Sequence, residues 1–186
     1  MIIWNKAGPK PLHPLNFAVI IVWAMQNSKK TGDSAPFYAK GLKFSCTKCS
    51  DCCRHEPGFV FLTENDFNVL SKALLMGYTQ FMETCCRWVP SPDGTERLSL
   101  RERSNLDCVL WREGCLVYEA RPLQCRSFPF WPSVLRSKTA WKATAMGCPG
   151  MGHGELHSAD IIEGWLEQQH KENVIIRKTS DPKGGC

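Results

Sequence analysis

The sequence predicts a small α+β domain in which short helices and strands position loops that carry metal-binding thiols. Three observations predict it. Cys46, Cys49, Cys52 and Cys53 fall in one loop, FSCTKCSDCCRHEPG, at C-x2-C-x2-C-C spacing. Apolar residues recur at both helical and strand periods, in short runs separated by glycine and proline. No repeat, low-complexity tract or second-domain linker divides the chain, and 43% apolar content over 186 residues allows one modest core that metal crosslinks would reinforce.

Residues 1–24 show no helical or strand period and no capping pattern, and residues 1–35 are expected to pack weakly as an N-terminal extension; Met25 is an alternative start. The apolar run Asn16 to Met25 is about half the roughly 20 residues that span a bilayer. Pro9, Pro11 and Pro14 precede it and no small-residue cleavage site follows, so neither a membrane span nor a secretory signal is predicted. The expected location is the cytoplasm, where eleven cysteines, an odd count, read as metal ligands and buried thiols rather than disulfides.

Residues 36–172 are expected to form the cysteine-cluster domain, with the ligand loop at its start. After that loop, Phe59 to Leu62 reads as a strand. Thr63 with Asp66 then caps a helix whose Leu70, Leu74 and Leu75 repeat until Gly77 stops it. A second short helix is expected from Gln80 to Arg87, and a turn from Pro90 to Gly94. Leu98 and Leu100 alternate with polar residues as in a strand. Val109 to Trp111 and Cys115 to Tyr118 flank Glu113-Gly114 as a hairpin with Cys108 and Cys115 facing each other. Trp141 to Ala145 reads as a strand. Ser158 caps a last helix with Ile161, Ile162, Trp165 and Leu166 as its apolar stripe. Residues 173–186 are expected to form a flexible tail.

The net charge of +5 arises in residues 1–45, with six basic side chains and one acidic, whereas residues 46–150 hold thirteen and eleven. That balance lacks the basic stripe that nucleic acid requires, and no nucleic-acid partner is expected. Cys108, Cys115, Cys125 and Cys148 follow the first four cysteines, giving eight candidate metal ligands, all sulfur. Side chains of the adjacent Cys52 and Cys53 leave the backbone in different directions, so either two centres lie close together or one of the pair is spare. Arg121 and Arg126, bracketing Cys125, are expected to offset thiolate charge and donate to sulfur. Arg54 and Arg112 fit that role or an ordinary surface equally well. Cys85 and Cys86 read as buried apolar thiols and Cys186 as unligated.

The cysteine run, the later Asp-Cys-Val-Leu and Gly-Cys, the RP-x2-CR-x-FPFW stretch and a final Cys-Pro-Gly together resemble the YkgJ-type cysteine-cluster family, described as zinc- or iron-chelating. The resemblance covers about Phe37 to Trp165. It implies metal chelation by Cys46, Cys49, Cys52, Cys53, Cys108, Cys115, Cys125 and Cys148. A branch similar to flagellin lysine methylases couples such cysteines to methyl transfer from S-adenosylmethionine, but that branch's additional sequence has no counterpart here.

None of the five histidines matches a ligand position. Pure thiolate sets suit iron–sulfur clusters and four-cysteine zinc alike. The x2, x2 spacing of Cys46, Cys49 and Cys52, and the Pro149 that follows Cys148, favour an iron–sulfur cluster with a redox or electron-transfer role. The alternatives are a structural zinc module and part of a methyltransferase-like activity. His55-Glu56 could serve as an acid/base pair, although a solvated loop is the commoner explanation. No nucleotide or hydrolase motif is present, so no reaction is assigned. The expected partner is an unidentified protein or redox partner.

Overall fold

A computed structural model describes residues 35–178. The expectations for residues 1–34, including the Met25 start, and for Cys186 lie outside the described residues. The architecture is α+β, with six α-helices and two small antiparallel sheets among the described residues. None of its helices is long and apolar enough to cross a membrane.

The first sheet joins chain segments far apart in sequence. β1 (Leu42–Phe44) pairs antiparallel with β4 (Met151–His157), with Lys43 opposite Leu156 and an irregularity before Phe44 meets Met151. Gly41, at φ 80°, makes this approach feasible, because a Cβ there would lie 2.6 Å from the His157 carbonyl oxygen. The second sheet has strand order β2-β3-β5: β2 is Cys86–Pro90, β3 is Thr95–Leu100 and β5 is Ile176–Lys178. The expected turn between Pro90 and Gly94 joins β2 to β3. β5 occupies described residues of the segment expected to be tail, and Val174 forms a further bridge to Thr63.

Phe59 to Leu62 runs beside β3 but forms only an isolated bridge, Phe61 to Ser99. Side chains take donors that a full ladder would use: Val60 N–H donates to Ser99 Oγ at 3.1 Å and Phe61 N–H to Gln124 Oε1 at 3.0 Å. α1 (Glu64–Ala73) begins with the expected capping box, since Asp66 N–H donates to Thr63 Oγ1 and Thr63 N–H donates to Asp66 Oδ2. It ends earlier than the leucine spacing predicts. Leu75 is left-handed at φ 54° and 94% exposed, while Gly77 precedes the next helix, α2 (Tyr78–Cys85), as its N-cap.

The 109–118 segment is a pair of tight turns with one isolated bridge, Trp111 to Cys115, rather than a two-stranded hairpin. Three short helices follow: α3 (Leu123–Arg126), α4 (Pro132–Leu135) and α5 (Lys138–Ala145). α5 corrects the strand expected over Trp141 to Ala145. Ser137 Oγ accepts from Ala140 N–H at 3.1 Å, and the alanine-rich segment favours helix once capped. α6 (Ala159–Lys171) is capped by Ser158 as expected; its stripe buries Ile162, whereas Ile161 is exposed.

Two hydrophobic clusters result. One gathers Phe67, Leu70, Phe81, Leu98 and Leu100 from α1, α2 and β3, with Leu110 and Val117. The other gathers Phe130, Val134, Leu135, Trp141, Met151 and Ile162. Cys108 and Cys115 pack against the first, and Cys148 against the second.

Candidate metal centre

The first cysteine loop runs from Ser45 to His55. Ser45 is held at its base: its N–H donates to the Gly150 carbonyl at 3.3 Å, and its hydroxyl accepts from Glu155 N–H at 2.9 Å. Cys46 therefore starts beside the segment that follows Cys148. Beyond it, Lys48 (φ 57°) and Ser50 (φ 70°) turn the backbone through the left-handed region between successive cysteines, and a 3-10 turn, Asp51–Cys53, closes the run. Cys46, Cys49 and Cys52 are exposed on this loop.

Cys53 is fixed by the next cysteine segment, because Cys108 N–H donates to the Cys53 carbonyl at 2.8 Å. An ion pair reinforces the junction. Arg54 Nε lies 3.3 Å from the buried Asp107 carboxylate, and the Arg54 guanidinium stacks 3.9 Å above the Trp111 ring. Cys108 and Cys115 each open a tight turn, and the backbone N–H two residues on, of Leu110 and Val117, faces each sulfur. The Gly150 and Met151 N–H groups face the Cys148 sulfur in the same way. Amide donors placed like this stabilise the thiolate form that metals require.

Cys125 rides on α3, which is tied down on several sides. Leu123 N–H donates to the buried Asp66 Oδ1 at 2.8 Å. The Gln124 side chain donates to the Phe59 carbonyl at 2.7 Å, and the Trp131 indole donates to the Gln124 carbonyl at 2.8 Å. The RPLQCRSFPFW stretch is thus a scaffold for one thiol, in which Asp66 and Gln124 do positioning work that motif spacing alone does not reveal.

Seven of the eight candidates influence one another electrostatically. The Cys52 and Cys53 sulfurs are 3.6 Å apart. Their shared hydrogen bond, aided by a backbone N–H and by Arg121, holds the Cys52 thiol down near 7. The same bond, together with burial and the neighbouring thiols, pushes Cys53 up. Burial raises Cys125 strongly, with Cys52, Cys108 and Cys115 adding to the effect and Arg121 opposing it. Cys108, Cys115 and Cys148 are also raised, first by burial, and all three sense Cys52. Cys49 acts on Cys148, and Cys46 is bonded to the Tyr118 hydroxyl. Among the described residues, no three His, Cys, Asp or Glu side chains already form a group arranged to hold an ion.

Arg121 meets part of its expected role. Its charge lowers Cys52, Cys115 and Cys125, although its Nε donates to the Tyr118 carbonyl rather than to sulfur. Arg126 Nε likewise donates to a carbonyl, that of Arg121, and Arg54 serves the Asp107 pair. Arg112 is exposed. Cys85 and Cys86 are 2% exposed in the first hydrophobic cluster, as expected of apolar thiols, with Cys86 pushed up to about 12 by burial.

The donor chemistry fits a thiolate-bound metal. Every candidate ligand is sulfur, four of the sulfurs meet backbone N–H donors, and the buried Trp111 indole N–H, in the loop joining Cys108 to Cys115, has no hydrogen-bond partner among the described residues. No solved structure matches the chain significantly. Residues 45–149 match the family CxxCxxCC, described as a putative zinc- or iron-chelating domain. That match runs from the residue before Cys46 to the residue after Cys148 and covers more than half of the 186 residues. The chain belongs to the CxxCxxCC zinc- or iron-chelating domain family.

Proposed function

We propose that the eight cysteines are the metal ligands, that they hold an iron–sulfur cluster, and that the domain serves a cytoplasmic redox or electron-transfer role with a protein partner. The observation that carries the cluster reading is the donor set itself, eight cysteines of which Cys46, Cys49 and Cys52 repeat at x2 spacing and Cys148 precedes Pro149. That is more thiols than one zinc ion takes, in a set without imidazole. A bound cluster would supply reversible electron transfer. The chain's own part is to neutralise thiolate charge with Arg121, to direct the Leu110, Val117, Gly150 and Met151 amides at sulfur, and to exclude water with the flanking aromatics. The same thiols would staple the two hydrophobic clusters together, since Cys108 and Cys115 belong to one and Cys148 to the other.

One observation favours structural zinc as the second reading. The 3.6 Å between the Cys52 and Cys53 sulfurs is close to the edge of a zinc–thiolate tetrahedron, which is about 3.8 Å for zinc–sulfur bonds of about 2.3 Å. Metal and acid-labile sulfide analysis of protein purified without oxygen separates the two. Iron with sulfide and a broad violet absorption supports the redox reading. Colourless protein containing zinc refutes it and leaves an interaction module.

A further inference from the structure

A cavity of about 190 Å³ lies beside the Cys125 scaffold, outside the thiol cluster. Asn65, Asp66 and Val69 of α1 form one wall; Glu119, Arg121 and Arg126 contribute to the other. The two arginines are held by their Nε atoms, which donate to the Tyr118 and Arg121 carbonyls at 2.8 and 2.9 Å. Their terminal nitrogens make no hydrogen bond among the described residues, and neither arginine forms an ion pair there. Arg121 is steadied further by stacking 3.8 Å over the Tyr118 ring. Each fork is therefore fixed at its base, with the planar donors that recognise oxyanions left available.

The acidic residues of the lining do not consume this charge. Asp66 is 3% exposed, and its oxygens already accept from Leu123 and Thr63 N–H groups. Glu119 is exposed and pairs with neither guanidinium. The volume sets the size of the group that can enter. It corresponds to about six waters, enough for a single oxyanion group, and the pocket is half open to solvent, so the remainder of a larger ligand would lie outside it.

We propose that this cavity is a binding site for a small oxyanion, phosphoryl or carboxylate, gripped by Arg121 and Arg126 with the Asn65 amide as a further donor. The proposal does not depend on which metal the cysteines hold. Because Arg121 also faces the thiols, an anion here would draw part of its charge away from Cys52, Cys115 and Cys125.

The test is calorimetric titration of the full-length, metal-loaded protein with inorganic phosphate and, separately, with acetate at fixed ionic strength. One saturable site per chain is expected. Arg126→Gln should weaken it at least about tenfold, by removing hydrogen bonds to a charged ligand. Val69→Phe should abolish it by filling the cavity while leaving metal content unchanged. Saturation by phosphate with acetate inert identifies a phosphoryl ligand, and the converse a carboxylate. Absence of saturable binding by either anion, or binding that survives both substitutions, overturns the proposal. Metal content measured on the same samples keeps this result separate from the ligand assignment.

Discussion

Asp66 offers the sharpest test of how the Cys125 segment is held. The carboxylate is 3% exposed and accepts from Thr63 N–H at 3.1 Å and from Leu123 N–H at 2.8 Å, so one side chain joins the start of α1 to the start of α3. Asp66→Ala leaves two amide donors without this acceptor. Hydrogen bonds to a charged acceptor contribute about 1.5–3 kcal/mol each, and counting both near the lower figure gives a loss of about 3–4 kcal/mol. For a domain of this size that corresponds to a fall of about 10 °C in melting temperature. Asp66→Asn should recover less than half of the loss, because its amide presents a donor to one of the two N–H groups. The assay is thermal unfolding of metal-free protein by circular dichroism, with metal affinity measured in parallel because Cys125 rides on the same helix. A melting shift under about 2 °C for Asp66→Ala, with unchanged metal affinity, would refute the positioning argument.

Four further outcomes are expected. Cys125→Ser or Cys49→Ser should lose most of the bound metal and lower the melting temperature of the metal-loaded protein, as loss of a ligand removes folding energy; unchanged stoichiometry and melt would exclude these ligands. In metal-free protein, Cys52 should be alkylated first, with a rate that reaches half its maximum near pH 7, the value set by its Cys53 bond and Arg121; mass mapping that finds Cys53 or Cys125 modified first would contradict this. Burial lifts Cys86 to about 12, and burial with the Glu163 hydrogen bond lifts Tyr38 to about 12. Raised acids stabilise the folded state fully below their unfolded values and lose that contribution as pH rises through the folded ones, so the melt should fall steeply between about pH 9 and 12, and less steeply in Cys86→Ala. Gly150→Ala should destabilise the protein by about 1–3 kcal/mol, because its Cβ would collide with the Ser45 carbonyl, and denaturant titration measures the loss.

Features encoded over three or four residues were legible in the sequence. The Thr63 and Asp66 capping box, the Ser158 cap, the turn before β3 and the buried character of Cys85 and Cys86 all depend on neighbours along the chain. What the sequence did not show depends on partners distant in the chain. Trp141 to Ala145 carries too few residues for a period to separate strand from helix, and the Ser137 cap decides the matter. Phe59 to Leu62 has strand composition, but Ser99 and Gln124 intercept its amides. β4, MGHGELH, has neither alternating apolar residues nor β-branched ones, and becomes a strand through its pairing with β1. The candidate thiols could be read from spacing, whereas Asp66, Gln124 and Tyr118 around them could not, because only the fold brings those side chains to the cysteines.

The pairing of β1 with β4 also bears on how the protein is made. Lys43 and Leu156 are neighbours in the sheet, yet more than a hundred residues separate them in the chain. At roughly 5–20 residues per second of synthesis, the first cysteine loop leaves the ribosome about 6–20 s before the strand that secures its base. During that interval Cys46, Cys49, Cys52 and Cys53 would be four nucleophilic thiols on a nascent chain, open to oxidants and stray metal ions. With the eight cysteines as the proposed ligands, complete loading would wait for the C-terminal third and metal delivery would be a late step in biogenesis, and a transcript truncated before β4 would yield a product that binds metal loosely and is readily degraded.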